Sequence, residues 1–390
     1  MPAALSRRDF LFRSGLVGCS LAASPLLTPV SFAAAPWDTR LVVIILRGGM
    51  DGLDVVQPYG DPAFAALRAT LSGGPEQGAH DLDGYFALHP GLGALMPMWR
   101  AGQLAFMHAV STPYRDKRSH FDGQDLLEAG TATLSGARDG WLNRMLQAVP
   151  GVTAQTAYAI GRDNMRLLTG AADVANWSPD AELTLSPRAE RLLDLVTEPD
   201  PALHAALSEA RLLAASGPGP DKKRAADHVQ VAEFAALQLS AESRIAAFSL
   251  NGWDTHGGQK RALGNALGRL ADTLLTLEKR MAGGVWDKTA VVAMTEFGRT
   301  VRQNGTQGTD HGTGGLMVLA GGAVRGGRVY GQWPGLGEGD LYQDRDLMPT
   351  GDVRAHAAWI MRGLTGLDHA ALEGAVFPGL DMGRDAGLLL

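Results

Sequence analysis

Cysteine is all but missing. The one copy, Cys19, lies near the start of a 390-residue chain, so a body released from that segment carries no thiol. Disulfides and thiolate metal sites are thereby excluded, which leaves histidine and carboxylate as metal ligands. Basic blocks are missing as well. The 35 Lys and Arg against 41 Asp and Glu give a formal charge of −6, with no run of cations for nucleic acid or an anionic membrane surface to meet. No apolar stretch is long and clean enough for a stable membrane span. The best one follows the first arginines and is broken by Arg13 and by prolines, short of the ~20 consecutive apolar residues a span needs. There is no haem-attachment pattern and no internal repeat, and Gly48-Gly49-Met50-Asp51-Gly52 lacks the spacing of a dinucleotide-binding loop. A redox protein built on such cofactors is disfavoured.

What is present describes an exported globular chain. A hydrophobic share of 45% with 19% charged residues suits a packed core rather than disorder. The N-terminus reads as an address: Ser6-Arg7-Arg8-Asp9-Phe10-Leu11, an apolar segment, then Ala33-Ala34-Ala35, the layout of a twin-arginine export signal. Residues 1–35 are therefore set apart as signal and 36–390 as the folded body. The implied partner is the twin-arginine translocase, and the implied location is periplasmic or secreted. Leu16-Val17-Gly18-Cys19 also spells a lipoprotein cleavage box, but the apolar segment before it is short and interrupted by Arg13.

Several continuous apolar runs punctuate the body: Leu41 to Leu46, Leu104 to Met107, Ile245 to Leu250, Ala290 to Met294 and Leu316 to Leu319. Such runs fit strands buried on both faces of a mainly parallel sheet. Between the third and fourth, Leu263, Leu267, Leu270, Leu274, Leu277 and Met281 alternate spacings of four and three, the apolar stripe of a helix facing a core. Strands alternating with helices predict an α/β fold with a mainly parallel central sheet flanked by helices. The stretch 155–240 is less regular and is read as a helical insert or cap.

Ligands of open parallel sheets bind beyond the carboxyl ends of the strands. The residues that follow these runs are correspondingly rich in chemistry. Asp51 follows the first run, Arg118-Ser119-His120 the second, Asp254-Thr255-His256 the third and Glu296-Phe297-Gly298-Arg299 the fourth, while Asp310-His311 precede the fifth. Singly, each has a plainer reading. Asp51 could brace a turn, Asp254 could cap the next helix, and Glu296 could pair with Arg299. Together, at five strand ends, they suggest His and carboxylate ligands for a divalent metal.

The stretches LRGGMDGLDVVQPYGD, RSHFDGQDLLEAG, NGWDTHGGQ, MTEFGRT and TDHGTGG, in this order, resemble the exported bacterial proteins of the DUF1501 family. That family is similar in turn to the alkaline phosphatase and sulfatase superfamily, whose members hold two divalent metals at strand ends. The resemblance implies an alkaline-phosphatase-like fold. It implies one metal on Asp254, His256 and the Asp310-His311 pair, and a second or shared one on Asp51 and Glu296. Phe297 stands where the superfamily has a histidine, which weakens or removes the second site. Ser119 and His120 both compete for the nucleophile position at the start of a helix. Arg118 or Arg299 would steady an anion. Sulfatase formylglycine chemistry is excluded for want of a cysteine there. The implied function is an exported hydrolase of small anionic phosphate or sulfate esters carrying one or two ions, zinc or manganese. The alternative is a non-catalytic exported binding or assembly protein with a structural metal.

Overall fold

The computed structural model describes residues 37–71, 73–115, 117–136, 138–161, 165–179, 225–281 and 283–390, with a few positions between 193 and 208. Residues 1–35, read as an export signal, and with them Cys19, lie outside the described residues, as does most of 180–224.

A nine-stranded sheet organises the chain. Its strands are β1 (Arg40–Arg47), β2 (Leu104–Ser111), β3 (Ala157–Ile160), β4 (Ala175–Trp177), β5 (Ile245–Asn251), β6 (Thr289–Met294), β7 (Gly315–Ala320), β8 (Arg328–Tyr330) and β9 (Gly351–Asp352). Their order is β8-β2-β7-β6-β1-β5-β3-β4, with β9 added beside β2. β1 lies between β5 and β6, parallel to both, with Leu41 opposite Ile245 and Ile45 opposite Met294. All five apolar runs are strands, and the α/β expectation is met.

The reason is burial on two sides. Along β1, Val42, Ile44 and Leu46 join one core with Phe248 and the leucine stripe of α4 (Gln259–Arg280). Leu41, Val43 and Ile45 join the opposite core with Trp141 of α2 (Trp141–Ala148) and Ile360 of α5 (Val353–Thr365). Strand side chains alternate faces, so a run with no polar position needs cover on both. In α4, Leu263, Leu267, Leu270, Leu274 and Leu277 are all fully buried, each worth about 1.5–3 kcal/mol of transfer free energy.

One detail differs from the reading of the sequence. β7 runs antiparallel to both β6 and β2. The residues before β7 therefore emerge at the edge where the other strands end, which is how Asp310 and His311 reach the site. Of the stretch 155–240, read as a helical insert or cap, much lies outside the described residues; at its described ends β3 pairs with β5, β4 with β3, and α3 (Asp227–Ser240) packs on α4. Among the described residues no helix is long and apolar enough to cross a membrane.

Candidate metal centre

The first candidate ligand comes from a helix start. α1 (His120–Ala129) is capped by Ser119, whose Oγ accepts from the Asp122 amide, and ends at Gly130 in the left-handed conformation. This fixes His120 in the first turn. Its Nδ1 lies 2.8 Å from Glu296 Oε1, and its Nε2 lies 3.4 Å from Asp254 Oδ2. The second and third ligands come from the glycine-flanked loop after β5. Asp254 Oδ1 is 3.1 Å from His256 Nε2 and 3.3 Å from His311 Nε2. The last, His311, sits in the turn before β7. Two glycines let these loops close on each other: a Cβ on Gly308 would lie 2.4 Å from the His256 carbonyl, and one on Gly312 would lie 2.4 Å from the Arg299 backbone.

The protons decide what the cluster is. His120 Nδ1 faces the Glu296 carboxylate, His256 Nδ1 faces Asp310 Oδ1 at 3.2 Å, and His311 Nδ1 faces the Arg118 carbonyl at 2.9 Å. Oxygens of this kind accept and do not donate, so a neutral ring that donates to its outer oxygen carries its proton on Nδ1 and offers a lone pair at Nε2. In that tautomer three lone pairs turn toward the Asp254 carboxylate, and His256 Nε2 lies 2.9 Å from His311 Nε2. His120 Nε2 is buried and has no hydrogen-bond partner. Ligand atoms of His120, Asp254 and His311 all fall within 4.8 Å of one another. Imidazole nitrogens that converge on one carboxylate fit a cation, and the outer Nδ1 bonds are the arrangement that orients metal-bound histidines.

Electrostatics follow the same geometry. The hydrogen bond to Glu296 raises the His120 pKa above the ordinary imidazole value, against the effect of burial. Burial is the main cause that lowers His311 and keeps it neutral. Burial opposes ionisation of Asp254 and Glu296, but each ends below the usual carboxylate range. Arg299 does this for Asp254; for Glu296 the largest favourable cause is the bond from His120, with Gln124 and Gly48 adding theirs. The bond from Asn304 lowers Asp310.

The predicted residues thus divide. Asp254, His256 and His311 come together, and His120, read as a nucleophile candidate, joins Asp254 and His311 in a group whose ligand atoms could hold one ion. Glu296 and Asp310, read as ligands, stand one step back, each holding the Nδ1 of a histidine. Asp51 is a correction. Its two oxygens are taken by Arg68 at 2.6 and 3.0 Å and by Gln259 at 2.6 Å, and the pair is fully buried. Arg299 is another correction. It is buried and donates to the carbonyls of Gly48, Gly49, Trp253 and Thr309, with its remaining contact to Asp254 at 2.5 Å. It pins the strand-end loops and presents no donors to an anion. Arg118 is exposed and contributes its carbonyl. Ser119 serves as the helix cap.

Some participants carried no signal in the sequence. Arg68 belongs to no motif. Gln259, the last letter of GWDTHGGQ, bonds both Asp51 and Asp54 and accepts from Thr255 and Thr309, tying the two ligand loops to one buried point. Phe297 lies under the site, its ring 5.1 Å from His120 and 4.9 Å from His311. An apolar ring here leaves no ligand for a second ion at this position.

A family model described as "Protein of unknown function (DUF1501)" matches residues 106–367, a span that includes His120, Asp254, His256, Glu296 and His311. The chain belongs to the DUF1501 family. No curated protein sequence matches it. Among solved structures, this DUF1501 protein is similar to the C-terminal periplasmic domain of EcEptC from Escherichia coli, at 12% identity and TM-score 0.40, covering 90% of this chain and 89% of that one. It is similar to the lipoteichoic acid synthase LtaP from Listeria monocytogenes, at 9% identity and TM-score 0.37, covering 90% and 78%. A mutant TAB5 alkaline phosphatase with magnesium bound matches at 12% identity and TM-score 0.35, covering 76% and 95%.

Proposed function

We propose that this protein is an exported, metal-dependent hydrolase of small phosphate or sulfate esters. The observation that carries the reading is the meeting of three histidine Nε2 atoms at one carboxylate, each ring held at Nδ1 by an outer oxygen. His120, Asp254, His256 and His311 would hold one divalent ion. Nitrogen-rich donors favour zinc, then manganese, over magnesium or calcium. A bound ion supplies Lewis acidity to an ester oxygen and lowers the pKa of an attacking hydroxyl.

The chain's own residues supply the rest. Glu296, Asp310 and the Arg118 carbonyl fix the rings. The exposed Arg118 guanidinium would pair with a substrate anion. Ser119 adjoins His120 at the positive end of α1, the place where a developing alkoxide is stabilised, and is the proposed nucleophile. In net terms water adds across the P–O or S–O bond and the alcohol leaves with a proton. Export would follow the twin-arginine route, and Arg7→Lys with Arg8→Lys should keep the protein in the cytoplasm.

The test is elemental analysis of natively exported protein, followed by a panel of phosphate and sulfate esters. Near-stoichiometric zinc or manganese together with turnover that Ser119→Ala removes is the expected result. Metal-loaded protein inactive on the whole panel would sink the hydrolase. One observation favours a structural metal in a non-catalytic protein: the Ser119 hydroxyl already caps a helix, and Phe297 fills the floor. Full metal occupancy with no phenotype for Ser119→Ala would support that second reading.

A further inference from the structure

One peptide unit beside the site is held at both ends. The carbonyl of Arg118 accepts from His311 Nδ1 at 2.9 Å, and the amide of the next residue, Ser119, donates to the Tyr114 hydroxyl at 2.7 Å. Arg118 itself has φ +54°. Left-handed backbone is uncommon outside glycine, and an arginine there with an exposed side chain has no packing reason to adopt it. Strained backbone persists where its surroundings over-determine it. Here they do, because a carbonyl and an amide in one plane must each meet a fixed partner. Tyr114 is itself fixed, its ring stacked on Phe297 at 6.1 Å, and Phe297 packs on His311.

We propose that the Arg118–Ser119 peptide is a positioning bracket: the left-handed turn at Arg118 and the Tyr114 hydroxyl aim the Arg118 carbonyl at His311 Nδ1, which holds His311 Nε2 as a lone pair facing Asp254. Tyr114 and Arg118 act through His311 and not on substrate. The bracket explains why this loop follows so tightly on β2. Without it His311 is able to carry its proton on Nε2, toward His256 and Asp254, and the cluster closes on itself by a hydrogen bond that excludes a cation.

The consequence for metal rests on the proposed function, but the bracket is readable without metal. Three variants of the full exported chain separate backbone from side chain: Arg118→Gly, which accepts positive φ; Arg118→Val, for which positive φ is most costly; and Tyr114→Phe. The readouts are long-range proton–nitrogen NMR correlations of the histidine rings in metal-free protein, and zinc affinity by competition with a chelator. Thermal unfolding identifies any variant that fails to fold. Expected are a wild-type His311 tautomer and zinc affinity in Arg118→Gly, against a mixed or reversed tautomer and about 10–100-fold weaker zinc in Arg118→Val and Tyr114→Phe, the range for loss of an outer partner. Arg118→Gly falling as far as Arg118→Val would assign the effect to the guanidinium and overturn the proposal. A wild-type tautomer in both Arg118→Val and Tyr114→Phe would overturn it as well. Wild-type protein that takes up no zinc would sink the hydrolase reading, while the tautomer comparison would still decide this one.

Discussion

Two groups of ionisable side chains stand beyond the carboxyl ends of the same sheet, and they are put together on opposite principles. Around Asp51 every acceptor has a donor: Arg68 covers both of its oxygens, Gln259 reaches Asp51 and Asp54 with one amide, and Gln259's own oxygen is met by two threonines. Around Asp254 the balance fails, because three rings turn their protons outward and their lone pairs inward. Burial alone would rank the Asp51 group as the more remarkable of the two, since it is wholly enclosed. Donor counting ranks them the other way. An enclosed network with matched donors is architecture, and an accessible carboxylate that meets one guanidinium and three imidazoles is a place that suits a cation.

The contrast can be broken in several ways. The largest effect is expected from Asp51→Ala, which strands the buried Arg68 charge and should lower unfolding free energy by about 3–5 kcal/mol in urea titrations, with metal binding by the remaining folded protein kept. His311→Ala should do the reverse. It is expected to weaken metal binding by more than about 100-fold while moving metal-free stability by no more than about 1 kcal/mol. Equal stability losses in the two variants would erase the distinction.

Acidity sharpens the comparison further. A protonated histidine cannot bind metal, so metal affinity should begin to fall, as pH drops, at the raised pKa of His120, above the ordinary imidazole value of about 6.5. Glu296→Gln removes the main cause of that rise and should move the decline to lower pH. In metal-free protein the signs are opposed. The raised His120 contributes stability that is full below the unfolded-state pKa and is lost as pH rises through the folded one. The lowered His311 contributes stability present above the unfolded-state pKa and lost as pH falls through the folded one. Urea midpoints across pH should therefore tilt in opposite directions for Glu296→Gln and His311→Ala, and parallel profiles would contradict the opposed shifts of the two rings. The smallest effect is expected from Asp310→Asn. Its carboxylate and His256 are both about half exposed, and about a tenfold loss of metal affinity by chelator competition is the expected reading.

Much of this was legible in the sequence, for reasons that differ by element. The central strands announced themselves because a strand covered on both faces has no polar position, and the α4 stripe because a helix with one covered face repeats its leucines. The meeting of Asp254, His256 and His311 at one edge was legible because each lies in a short, glycine-flanked loop at a strand end. Their division from Glu296 and Asp310 was not legible, since ligand and ligand-holder use the same side chains and differ only in which nitrogen they face. Asp51 misled for a related reason. Its partner Arg68 sits in a segment with no motif of its own, and nothing in the spelling of a carboxylate says whether a cation or a guanidinium will neutralise it. The orientation of β7 was also hidden, because an apolar run reads the same in both directions.

The four ligand positions are scattered along the chain, with His120 made early and His311 late. Until residue 311 has been synthesised a growing chain has close together only the pair Asp254 and His256, with His120 far back along an unfolded segment, and such a pair would retain an ion poorly. Acquisition of an ion at the proposed site would thus be the act of a completed fold. Which ion is taken then depends on the metal supply where folding finishes as much as on the ligands, since cells set metal selectivity largely through availability. If the twin-arginine address is used and the chain crosses the membrane already folded, the ion will have been chosen in the cytoplasm and carried out as cargo.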